Sequence, residues 1–150
     1  MTVRTTLVVG GSASGREAAI AATALHAASW DAAPSGDAPT APAFPAAAAP
    51  APTPPSVAIL EGLSDGQSPL ADLAEQGNLL SLQLIRIAPG CLCCAGNMIL
   101  KVTLNRLLRR PPARLFISLA DATHVDTLRA WLSSAPYDTL LRLDADIRVS

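Results

Sequence analysis

The sequence predicts an α/β fold in which helices cover both faces of a mostly parallel sheet. Segments of strand character alternate with segments of helical period along the chain, the pattern of parallel strands joined by crossover helices. The first segment, 3–9 (VRTTLVV), is rich in β-branched residues and stops at two glycines, as a buried strand does where it meets a tight turn. Half of the 150 residues are apolar, enough for the core of one domain.

The elements follow in order. After the strand at 3–9, residues 16–30 (REAAIAATALHAASW) are alanine-dominated and predict a helix, with Glu17 expected in its first turn against the amino-terminal dipole. Residues 31–55 hold ten alanines and eight prolines. Such text has too few large side chains for a core and too few backbone donors for a ladder, so a linker or disordered insertion is expected there. The single domain therefore comprises 1–30 and 56–150. Residues 56–60 form a short apolar strand, 62–69 are turn-rich and 70–76 predict a brief helix. Leu82, Leu84, Ile85 and Ile87 give 80–88 a strand-like face before Pro89 and Gly90.

Residues 97–110 (NMILKVTLNRLLRR) repeat apolar side chains at helical spacing through Leu100, Leu104, Leu107 and Leu108, and Pro111-Pro112 stops the helix. Another strand at 114–119 (RLFISL), a helix at 125–133 and a last strand at 139–149 complete the order. In such a sheet, ligands gather beyond the carboxyl ends of the strands.

Charge and hydropathy exclude several classes of partner. Eleven Lys and Arg against twelve Asp and Glu, with a pI near 6.0, leave no electrostatic footprint for nucleic acid. No apolar run approaches the roughly 18 to 20 residues of a spanning helix, so no membrane partner is expected. The apolar stretch at Leu7, Val8 and Val9 is shorter than the roughly 7 to 15 residues of a secretory signal, and the amino terminus is read as mature. The three cysteines crowd into 91–94, an odd number too close for a disulfide framework, which favours a reducing compartment, the cytoplasm.

The loop after the first strand is Gly10-Gly11-Ser12-Ala13-Ser14-Gly15-Arg16-Glu17. Gly10 and Gly15 have the spacing of the two glycines of a phosphate-binding loop, in which small residues let successive N–H groups wrap a phosphate at a helix amino terminus. The end of the motif differs. Arg16 stands where a lysine reaches the terminal phosphates, keeping charge but not geometry, and Glu17 stands where a hydroxyl ligates magnesium. A plain glycine-rich turn, with Arg16 solvated, is the competing reading. A dinucleotide fold ranks lower because the glycines do not follow GxGxxG.

The second loop, Gly90-Cys91-Leu92-Cys93-Cys94, follows a strand and precedes a helix whose dipole lowers thiol pKa values. Three soft ligands within four residues suit zinc or Cu(I), with one more ligand or water to complete a tetrahedron. His124, His26, Glu61 and Asp65 are candidates for it. Buried thiols and a thiol redox switch are the alternatives.

With these two loops, the chain resembles the CobW-type P-loop GTPases, the cobalamin-biosynthesis and zinc-metallochaperone family. Gly90, Cys91, Cys93 and Cys94 match the G-C-x-C-C element of that family, placed after a strand and before a helix downstream of the phosphate loop. Residues 57–60, 113–119 and 139–149 fall where the family has its second strand, its Walker B strand and the strand that follows. The resemblance implies a P-loop NTPase-like three-layer fold, zinc held by Cys91, Cys93 and Cys94, GTP with magnesium at 10–17, and a metal-receiving client protein. Departures accompany the match. The G-K-T of the family is Gly15-Arg16-Glu17 here, Ser118-Leu119-Ala120 replaces its acidic residue and glycine after Walker B, and no N-K-x-D motif reads the base. The expectation is a divergent, shortened relative that binds metal, with degenerate nucleotide binding and impaired GTP hydrolysis. A non-enzymatic metal- or partner-binding pseudo-GTPase is its closest alternative. No catalytic base is assigned.

Overall fold

A computed structural model describes residues 2–31, 54–63, 66–75, 82–88 and 98–150. Six strands, β1 (Val3–Val9), β2 (Ser56–Glu61), β3 (Leu82–Ile87), β4 (Arg114–Leu119), β5 (Leu141–Leu143) and β6 (Ile147–Arg148), alternate with four helices. The helices are α1 (Ala13–Asp31), α2 (Pro69–Glu75), α3 (Met98–Leu107) and α4 (Val125–Leu132). The strands form one sheet in the order β3-β2-β4-β1-β5, with β6 also on β1, and every pairing is parallel. This is the α/β, P-loop NTPase-like three-layer architecture that the sequence predicts. The Ala/Pro-rich stretch lies almost wholly outside the described residues.

Apolar strand text becomes two cores because alternate side chains point to opposite faces. On one face Val8, Ala58, Leu60 and Phe116 meet Ile20 and Ala21 of α1 and Leu70 of α2. On the other, Leu7, Val9, Ile59, Ile117 and Leu119 meet Leu100 and Leu104 of α3 and Val125, Leu128 and Leu132 of α4. Each fully buried Leu or Ile contributes about 1.5–3 kcal/mol relative to an exposed one, so these two layers carry most of the stabilisation. Beneath α4, Tyr137 stacks on Trp131 with ring centroids 4.9 Å apart and donates its hydroxyl to Asn105 Oδ1 at 3.2 Å. Burial raises the Tyr137 pKa above its ordinary value.

Two elements differ from expectation. The last strand is two short pieces, β5 and β6, both paired with β1: Val3 with Leu141 below, Val8 with Ile147 above. The interruption at 144–146 is held by side chains, since Arg129 bridges Asp146 at 2.6 Å and donates to the Asp144 carbonyl, and Arg4 bridges Asp144 at 3.2 Å. The first helix starts at Ala13 rather than Arg16, three residues earlier than its alanine run suggests. Ser12 is the reason: its Oγ accepts from Gly15 N at 3.1 Å and its carbonyl from Arg16 N at 3.0 Å, the bonding of a helix cap.

The early start moves Arg16 and Glu17 inward. At 3.6 residues per turn, Arg16, Glu17, Ile20, Ala21 and Ala24 share one face, and that face packs on the sheet. The expected place of Glu17 in the exposed first turn is thus corrected: no acidic residue lies there, and Glu17 is buried one turn further on.

Candidate functional site

β1 and β4 are neighbours whose carboxyl-terminal loops leave to helices on opposite faces, the arrangement that opens a crevice at strand ends. The glycine loop lies there. Gly10 and Gly11 take φ of +82° and +61°, the left-handed region open to glycine, and turn the chain from β1 into α1 within three residues. The space around them is closed by Val149. A Cβ on Gly10 would lie 2.8 Å from the Val149 carbonyl oxygen, and one on Gly11 2.7 Å from Val149 Cγ1. At Gly15 the same methyl would be 3.1 Å away. Val149 is held by its own N–H, which donates to the Val9 carbonyl at 2.8 Å. Conformation and packing against the chain's own residues therefore both require these glycines.

Arg16 is 4 % exposed and runs under the loop. Its Nε donates to Ser118 Oγ of β4 at 2.8 Å, and its Nη1 to the carbonyls of Gly10 and Gly11 at 3.2 and 2.9 Å. Phosphate loops turn N–H groups toward an anion. Here two carbonyl oxygens of the loop turn toward a guanidinium instead, and the cation ties loop to sheet.

Glu17 is 1 % exposed. Its Oε1 accepts from Ser68 Oγ at 2.6 Å and from Arg86 Nη2 of β3 at 3.4 Å, while its Oε2 is buried without a hydrogen-bond partner. Arg86 also donates to Ser68 Oγ at 3.3 Å, closing a triangle. A magnesium ion ligated by Glu17 would sit beside the Arg86 guanidinium, and like charges at that separation repel. The Nε and Nη1 of Arg16 are engaged by a hydroxyl and two carbonyls. As folded, then, Arg16 and Glu17 do not fit a magnesium-bound triphosphate, although the loop keeps the outline of a phosphate-binding turn.

Beside the loop, the Oε2 of Glu61 at the end of β2 accepts from Ala120 N at 2.8 Å and ties β2 to the turn after β4. Asp121 caps the following 3₁₀ turn by accepting from Thr123 N at 2.8 Å, and its hydrogen bonds to Thr123 lower its pKa.

Cys91, Cys93 and Cys94 lie outside the described residues, as does Asp65. Of the other candidates for a fourth ligand, His26 is exposed on α1, His124 is half-buried in the 3₁₀ turn and Glu61 is bonded to Ala120. Among the described residues, no three His, Cys, Asp or Glu side chains come together as metal ligands. By donor chemistry, three thiolates within four residues suit zinc or Cu(I).

Sequence reasoning placed the glycine loop and the Ser118 segment at strand ends but missed Ser68, Arg86 and Val149. Arg86 carried a signal, a lone cation within the apolar strand LQLIRI. Ser68 and Val149 carried none. Comparison with models of protein families, with curated proteins and with solved structures finds no match. No helix among the described residues is long and apolar enough to cross a membrane.

Proposed function

We propose that this chain is a CobW-like pseudo-GTPase, a P-loop-fold protein of the cytoplasm that holds zinc or a similar soft metal through Cys91, Cys93 and Cys94 and passes it to a client protein. The GCLCC element supports the metal half of the reading. The single observation that favours loss of turnover is Arg16, whose guanidinium is consumed by Ser118, Gly10 and Gly11 rather than presented to a phosphate. Zinc would be a thiolate-held cargo; the chain's own part is to supply three thiols within four residues. GTP with magnesium at Gly10 to Glu17 is the weaker half, because it requires Arg16 and Glu17 to leave their present partners.

The test is a zinc titration of anaerobically purified protein against a chromophoric competitor, with Cys93→Ala beside wild type and a second series containing GTP. The expected result is stoichiometric zinc that is lost in Cys93→Ala and indifferent to GTP. Zinc affinity shifted by GTP would make the chain a nucleotide-linked metallochaperone instead. Absence of tight zinc, with rapid alkylation of all three thiols, would overturn the metal reading in favour of a redox switch.

A further inference from the structure

At the opposite end of the sheet from the glycine loop, a cleft of about 1090 Å³ runs between α3 and the amino-terminal ends of β2 and β3. Val57, Ile85 and Leu107 give it apolar lining, and Arg106, Arg109 and Arg110 stand along its rim, all three exposed. Among the described residues, its lining contains no acidic side chain. Among the described residues, none of the three guanidinium groups makes an ion pair or a side-chain hydrogen bond. The imbalance extends along the chain: 76–120 carry six of the eleven cations and none of the twelve acids, so a nearly neutral protein keeps its positive charge in one part of its sequence.

Charge of this kind beside an apolar floor has two costs that something must offset. Three like charges within five residues repel, and exposed apolar surface is hydrated unfavourably. A ligand carrying carboxylates next to aliphatic side chains removes both. The walls are preformed, because two proline pairs, Pro54-Pro55 and Pro111-Pro112, border the cleft and are tied together by the bond from Ala113 N to the Pro55 carbonyl at 3.1 Å. Rigid walls reduce the ordering cost of binding.

We infer that this cleft is a docking site for an acidic segment of a partner protein, one in which glutamate or aspartate is interleaved with leucine-like side chains. Nucleic acid fits less well. The lining holds no aromatic ring on which a base could stack, and the protein as a whole is slightly anionic. The lining contains none of the cysteines, and the inference does not rest on the metal reading.

The experiment is fluorescence anisotropy of the full chain with a labelled glutamate–leucine peptide. Arg106→Gln/Arg109→Gln/Arg110→Gln and Val102→Asp are the variants, the first removing the rim charge and the second placing a carboxylate on the α3 wall. Expected results are saturable binding, roughly tenfold weaker in each variant and weakened by salt, with no binding of a lysine–leucine peptide. These substitutions are all at exposed positions, and circular dichroism checks that the fold persists. Should the triple variant fail to fold, Val102→Asp and the lysine peptide decide. Unchanged affinity in the variants would overturn the proposal, as would equal or tighter binding of oligothymidylate or of phosphatidylserine vesicles.

Discussion

Arg16 and Ser118, 102 positions apart in the sequence, meet at 2.8 Å, and through that bond the first turn of α1 is fastened to β4. Ser118 faces the layer formed by α1 and α2, where its neighbours Ala58, Leu60 and Phe116 are apolar, so its hydroxyl needs the partner that Arg16 supplies.

Truncation of this link should be costly. Arg16→Ala removes a buried cation, leaves Ser118 Oγ without its donor and strips the guanidinium from two loop carbonyls. A loss on the order of 3 kcal/mol is expected from urea unfolding. Ser118→Ala should cost less, about 1 kcal/mol, because Arg16 keeps Gly10 and Gly11. A larger effect of Ser118→Ala than of Arg16→Ala would contradict this ordering.

Gly11 and Val149 should be coupled. Gly11→Ala places a methyl 2.7 Å from Val149 Cγ1 on a backbone with φ of +61° and is expected to destabilise by about 2–3 kcal/mol. Adding Val149→Ala relieves the clash but not the backbone strain. The double variant should therefore lose less than the sum of the two single variants, a deviation of about 1 kcal/mol in a double-mutant cycle.

Much of this was legible in the sequence, for identifiable reasons. β1, β2 and β4 are rich in β-branched and apolar residues because they are buried on both faces along most of their length, and α3 and α4 show helical period because one face of each is exposed. The inward turn of Arg16 and Glu17 was hidden. Alanine on every side of α1 erases the periodicity that would have marked its buried face, and the capping role of Ser12 is masked by glycines. The break between β5 and β6 depends on Arg129, which comes from another element, and local text does not report it. Contacts such as Val149 over Gly11 join distant segments and leave no local pattern.

Installing the lysine and hydroxyl residue of a phosphate-binding loop is expected to create binding before turnover. Arg16→Lys with Glu17→Thr frees the Gly10 and Gly11 carbonyls and supplies a hydroxyl at the magnesium position, and should raise the affinity for a fluorescent GTP analogue in the presence of magnesium. Phosphate release should remain at background, since neither change adds a group to activate water. Phosphate release above background in the double variant would contradict this expectation.

Tyr137 is the sole tyrosine, so its ionisation can be followed directly by ultraviolet absorbance. Burial raises its pKa in the folded protein. The sign follows: the unfolded chain releases this proton first, so the stability tied to Tyr137 is intact below the ordinary tyrosine range and lost as pH rises through the folded value. Tyr137→Phe should remove that alkaline loss. An absorbance titration at the ordinary pKa of about 10 would contradict the burial.

The placement of β1 has a kinetic consequence. Its neighbours on both sides are synthesised more than a hundred residues after it: Arg4 pairs with Arg114 on one edge, and Val9 with Arg148 on the other. During synthesis this largely buried strand has no native neighbour to pair with, and loop-closure entropy is paid before those pairings reward it. Long-range parallel pairing of this kind places the protein among slowly folding topologies, whose nascent chain exposes an unpaired strand until its distal half emerges.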